Sequence, residues 1–201
     1  AIPNCSTFPD QPSKNLKKNS NNRISFLTIA RLDYQKDYET LFLGLSRLPK
    51  NLDWQLVYIG DGILSTKAKK LAKDLSIDSK IQFVGFKLNL QEFYENADVY
   101  VLSSNWEGLP ITLLDAMNFS LPIVTTNVGG CSDVVSHGFN GFLLPIKSPD
   151  HIKFFLKELS ENKSLRYQFG RNSKSLYQKL FNKKLFNKKT FDLYQKYLIR
   201  N

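Results

Sequence analysis

ISFLTIARLDYQKDYETLFLGLSRLPKNLDWQLVYIG (24–60) is the stretch whose reading decides the fold. It opens with ISFLTIA (24–30), a short, mostly apolar run bounded by polar residues, which reads as a buried strand. YETLFLGLSRL (38–48) follows, with Leu41, Phe42, Leu45 and Leu48 at helical spacing. WQLVYIG (54–60) is a second apolar run of strand length. Two buried strands joined by a helix imply a right-handed crossover and a parallel pair.

The same alternation continues outward from this unit. Ile63 to Leu75 reads as a Lys-rich amphipathic helix, IQFVG (81–85) as a third strand and LQEFYENA (90–97) as a short helix. DVYVLSS (98–104), LPIVTT (121–126) and GFLLPI (141–146) supply three more strands, with ITLLDAMNF (111–119) as a helix between the first two. The expected fold is α/β: a Rossmann-like, doubly wound, parallel six-stranded sheet, with ligands at the strands' carboxyl ends. From about Pro149 the pattern is helix only. Ile152, Phe155, Leu156 and Leu159 share one face, and Leu176, Tyr177, Leu180 and Phe181 another. LFNKKLFNKK (180–189) has a period of five, which suits neither helix nor strand, and reads as low complexity inside a basic helical tail. The division expected is a linking leader over 1–22, a ligand-binding Rossmann-like domain over 23–148 and C-terminal helices over 149–201.

Composition narrows the class. With 42% hydrophobic and 23% charged residues the chain is of the globular type. No apolar run approaches the roughly 18 residues of a membrane span, and the polar first 22 residues do not form a signal peptide. Cys5 and Cys131 match no metal or redox spacing and fit a reducing compartment. Residues 163–201 hold 11 Lys and Arg against one Asp, so this tail carries the whole net charge of +10. Such a tail attracts anionic lipid, nucleic acid or an acidic partner, or is a solvated helix face. No aromatic-and-basic nucleic-acid signature accompanies it.

The loops at the strand ends hold the candidate chemistry. Arg31 and Lys36 lie five apart after the first strand, where two cations can grip a phosphate or stand as surface charge. GDG (60–62) lacks the GxGxxG dinucleotide pattern and reads as a tight turn. In SSNWEGLPITLLDAM (103–117), Pro110 suits a helix's first turn, and Leu109, Ile111 and Thr112 offer backbone N–H groups as an anion site. Glu107 lies just outside that site, and Asp115 lies about 7–8 Å farther along the helix at 1.5 Å per residue. Taken singly, Glu107 reads as an acid complementing the helix dipole and Asp115 as a solvated helix residue. Together they fit a nucleoside diphosphate sugar, with hydroxyls at both ends and a diphosphate between. His137 and His151 are isolated.

With their surroundings these residues resemble the carboxy-terminal, donor-binding half of a retaining GT-B glycosyltransferase of the glycosyl transferases group 1 family. The resemblance runs through IPN (2–4), ARLDYQKDYETL (30–41), LVYIGDG (56–62), IQFVGF (81–86), ADVYVLSSNWEGLPITLLDAM (97–117), LPIVTTNVGG (121–130) and GFNGFLL (138–144), in the family's order. It implies that Arg31 and Lys36 hold the donor diphosphate, and that Glu107, first acid of an E-x7-E motif, binds the transferred sugar's hydroxyls. It also implies that Asp115 takes the place of the ribose-gripping second acid. Gly108, Leu109, Ile111 and Thr112 would then face the phosphates, Phe86, Lys87 and Leu88 the base, and Gly129 and Gly130 the sugar pocket. The chain departs from the family pattern at Asp115 and Asp133, each one methylene shorter than the usual Glu, and at Pro110, often Gly.

The resemblance further implies a hexosyl- or N-acetylhexosaminyltransferase of glycan, lipopolysaccharide or capsule synthesis, with UDP-sugar as donor and no cofactor or bound metal. The acceptor, a glycan or lipid-linked glycan, would be held by an N-terminal domain. IPN marks entry into the family's second domain, so a donor-domain fragment with little or no turnover of its own is expected, a point that a transfer assay on the 201-residue chain checks. A cytoplasmic setting, peripheral at the inner face of the membrane through the basic tail, suits this reading, and nucleic acid is not the expected partner. The competing readings are a non-catalytic nucleotide-sugar binding module and a GT-B-type epimerase or phosphorylase.

Overall fold

The computed structural model describes residues 4–13 and 23–198, with the side chains of 197 and 198 excepted. Ile2 and Pro3 of the IPN motif, most of the second half of the leader, and the Leu198 side chain lie outside the described residues. In chain order the elements are β1 (Ile24–Ile29), α1 (Tyr38–Ser46), β2 (Trp54–Ile59), α2 (Ser65–Asp74), a 3-10 turn at Asp78–Lys80, β3 (Ile81–Gly85), α3 (Gln91–Asn96) and β4 (Val99–Leu102). There follow α4 (Ile111–Asn118), β5 (Ile123–Thr126), α5 (Cys131–Val134), β6 (Gly141–Leu144), α6 (Pro149–Glu161), α7 (Lys163–Leu180) and α8 (Lys183–Leu198).

All six strands pair in parallel in the order β3-β2-β1-β4-β5-β6. The expected doubly wound sheet is therefore present. Its order reverses between β1 and β4, where a crevice opens at the carboxyl ends of both strands. Helices on both faces keep the central strands largely apolar: Phe26, Leu27, Leu56, Tyr58, Val99, Tyr100, Ile123 and Val124 are all buried. Right-handed crossovers place α1 and α2 on one face and α4 and α5 on the other.

Two of the C-terminal helices complete these layers. α6 packs on α1, burying Ile152, Leu156 and Leu159, and α7 packs on α4, burying Phe169 and Tyr177. Gly170 makes the second contact close, since a Cβ there would lie 2.3 Å from Ser120 O. Residues 149–180 are thus built into the sheet domain. Only α8 stands apart in character, leaving Phe191 and Tyr194 exposed beside Lys183, Lys184 and Lys188. Residues 4–13 lie on the α4–α7 side, where the Phe8 ring meets Tyr94 and Phe119 edge-on at 5.8 and 5.0 Å.

Candidate functional site

The two loops that leave β1 and β4 form the walls of the crevice, and they are braced against each other. Asn105 N donates to Gln35 O at 2.7 Å and Asn105 Nδ2 to Tyr34 O at 2.7 Å, while Gln35 Nε2 donates to Trp106 O at 2.9 Å. Ser103 Oγ lies within hydrogen-bond distance of both Lys36 O and Asp37 O, at 3.0 and 2.9 Å. Asp37 adopts a left-handed conformation (φ 45°, ψ 52°), caps α1 through Thr40 N and pairs with Lys147 Nζ at 2.9 Å. Asp tolerates this conformation because its short polar side chain bonds locally.

These braces bring Lys36 and Glu107 together. Lys36 Nζ stands 2.6 Å from Glu107 Oε1, and Ser104 Oγ donates to the same oxygen at 2.6 Å. The pair is sheltered, with 17% of the Lys36 side chain and 6% of the Glu107 side chain exposed. Among the described residues no donor meets Glu107 Oε2. Thr126 Oγ1 donates to Ser104 O at 2.6 Å, which ties the acid's support to the end of β5. Arg31 behaves differently: 70% of its side chain is exposed, and its Nη2 is shared between Asp33 Oδ2 and Gln35 Oε1, each at 3.2 Å.

Gly129 and Gly130 hold the Glu107 loop from behind. Gly129 has φ +49°, and a Cβ on it would lie 1.8 Å from Glu107 O. Gly130 N donates to Gly108 O at 2.7 Å, and a Cβ there would stand 2.7 Å from that oxygen. Sequence reasoning assigned this pair to a sugar pocket; its contacts are with the backbone that carries Glu107. Pro110 proves to be the N-cap of α4, and no side chain caps the helix. Among the described residues no acceptor meets the N–H groups of Leu109, Ile111 and Thr112, so this end keeps an unsatisfied, positively polarised face. Phe86, Lys87 and Leu88 are exposed at the carboxyl end of β3, two strands from the crevice.

Asp115 is turned toward the leader. It is 2% exposed, so it is no solvated helix residue. Its Oδ1 accepts from Ser6 Oγ at 2.7 Å, Thr7 N at 2.8 Å and Thr7 Oγ1 at 3.2 Å, and its Oδ2 from Thr7 Oγ1 at 3.1 Å. Loss of solvent pushes its pKa up against these hydrogen bonds. Ser6, Thr7, Ser104, Gln35 and Asn105 were not singled out from sequence, and lone polar residues in loops give no periodic or spacing signal. Among the described residues no group of three or more His, Cys, Asp or Glu could hold a metal ion. His137 and His151 both pack on the Phe155 ring, at 5.7 and 6.2 Å.

A doubly wound domain with an acid and a cation at its switch point has the architecture of one half of a GT-B glycosyltransferase. The crystal structure of Anabaena HepE in complex with UDP and glucose superposes with a TM-score of 0.82 at 18% identity, over 87% of this chain and 49% of that one. The family model for glycosyl transferases group 1 matches residues 10–176, and the chain belongs to that family. An uncharacterized glycosyltransferase of Haemophilus influenzae is 32% identical over 165 residues, 81% of this chain and 46% of the relative. The UDP-Gal:alpha-D-GlcNAc-diphosphoundecaprenol alpha-1,3-galactosyltransferase of Escherichia coli is 28% identical over 83% of this chain and 42% of its own. The chain thus spans about half the length of the curated relatives it matches.

Proposed function

We propose that this chain forms the donor side of the active cleft of a retaining glycosyltransferase that uses a UDP-sugar to build a glycan, lipopolysaccharide or capsule. The observation that carries this is the sheltered Lys36–Glu107 pair at the switch point, beside the uncapped start of α4. A diphosphate suits the helix N-terminus, where N–H groups and the dipole favour negative charge. Lys36, with further N–H donors beyond its bond to Glu107, and Arg31, swinging in from the rim, compensate the charge that grows on the departing phosphate. No resident metal or cofactor is assigned to the reaction. Glu107 Oε2 accepts a hydroxyl of the transferred hexose or N-acetylhexosamine, while Phe86, Lys87 and Leu88 border the base. In this reading the acceptor attacks from the face the phosphate leaves, and the departing phosphate takes the acceptor's proton.

The choice of UDP is supported by the nucleotide in the names of the Escherichia coli relative and the Anabaena complex. Calorimetry with UDP, GDP and ADP tests it: UDP binds most tightly, and Lys36→Met weakens it by roughly tenfold, the worth of one charge-assisted contact. Equal affinity for all three, or an unaffected variant, defeats the reading. The basic, aromatic face of α8 would hold the enzyme to the inner leaflet beside a lipid-linked acceptor. Co-sedimentation with vesicles should then rise with their anionic lipid content.

A further inference from the structure

The polar groups of residues 6–11 converge on buried side chains of α4 and α7. Besides the four contacts at Asp115, Asn118 Nδ2 donates to Ser6 Oγ at 3.1 Å and to Pro9 O at 2.9 Å. Asn118 Oδ1 accepts from Gln11 N at 3.0 Å and from Lys174 Nζ at 2.8 Å. Tyr177 OH closes the set by donating to Asp10 Oδ1 at 3.2 Å. Asp115 and Asn118, nearly one turn apart on α4, thus grip the same strip of leader from one helix face.

We propose that Asp115 is a positioning residue that locks the leader to α4 at Ser6 and Thr7, in place of gripping the ribose of the donor. The carboxylate is an acceptor-only group, and three donors of the leader turn on it: Ser6 Oγ, Thr7 N and the single Thr7 hydroxyl, which is shared between Oδ1 and Oδ2. The side chain is one methylene shorter than Glu, which keeps the carboxylate close to its own helix, where the leader closes over it. Because the same helix presents its N-terminus to the diphosphate, the lock sets the register of the leader against the donor site. A ribose contact would have to displace Thr7 from an acceptor that is 2% exposed.

Cys5 reports on the lock directly, since it adjoins Ser6 and the other thiol, Cys131, is buried. In the full chain, iodoacetamide should alkylate Cys5 roughly tenfold faster in Asp115→Ala and in Ser6→Ala/Thr7→Val, as expected when one or two buried hydrogen bonds are lost. The second variant keeps the Asp115 charge, so its faster rate reflects exposure of the thiol and not its ionisation. Unchanged Cys5 rates in both variants overturn the lock.

The second arm rests on the UDP reading above. Loss of affinity for 2′-deoxy- and 3′-deoxy-UDP relative to UDP should be the same, within about twofold, in wild type and Asp115→Asn. A penalty that disappears in the variant would show that Asp115 holds the ribose and overturn the proposal. If wild type fails to bind UDP, the donor reading falls, and the Cys5 rates alone decide the lock.

Discussion

Glu107 is held in place by neighbours on both crevice loops and by the glycine pair behind them. Its carboxylate is set by Lys36 and Ser104, and its backbone by the close approach of Gly129. Gly129→Ala therefore combines a left-handed φ with a Cβ only 1.8 Å from Glu107 O. It should cost at least about 2 kcal/mol in urea denaturation and weaken nucleotide binding with it. A substitution that leaves the denaturation midpoint in place would show that the loop relaxes freely. At this scale the sequence placed Lys36 and Glu107 at strand ends, and the structure brings the two side chains together. The sequence was a poor guide to Asp115, because nothing in ITLLDAMNF shows that Ser6 and Thr7 lie over that carboxylate. The residues that meet there lie more than a hundred positions apart in the chain.

Among the elements, the turn between β1 and α1 sets the crevice wall, and Asp37 governs it. Its carboxylate caps Thr40 N and pairs with Lys147, while its backbone sits at φ 45°. Glycine meets the backbone demand and alanine meets neither, so Asp37→Gly should be the milder change. Asp37→Ala should lose about 1–2 kcal/mol, the worth of a helix cap with added strain, and thermal unfolding of the two variants gives the order. The strands and longer helices were legible because their periods, apolar runs of strand length and i, i+3, i+4 repeats, are local properties. α5 was not: Cys131–Val134 is a single turn, too short for a period, and Gly130 and the packed Cys131 create it. α6 and α7 were legible as helices, but not as partners of α1 and α4, since an amphipathic face shows that it will be covered and not by what.

For the molecule as a whole, the buried link between leader, α4 and α7 predicts a pH signature. The fold favours the protonated form of Asp115, because desolvation raises its pKa. Its contribution to stability is full below the ordinary carboxylate value and declines as pH rises through the raised one. Relative to Asp115→Asn, the wild type should lose stability on going up from about pH 3.5, and the difference should level off above the raised pKa. Denaturation curves of both proteins at matched pH steps measure this, and a difference that grows toward acid pH would reverse the assigned sign. The sequence by itself determined the doubly wound class, the six strands and the concentration of charge in the tail, because periodicity and composition are written along the chain. Only the tertiary structure decided that Lys36 and Glu107 neutralise each other, that the glycine pair supports the acid's loop, and that Asp115 faces the leader. Those outcomes depend on which distant groups desolvate one another, and that is fixed by the order of strands in the sheet and the helices packed on it.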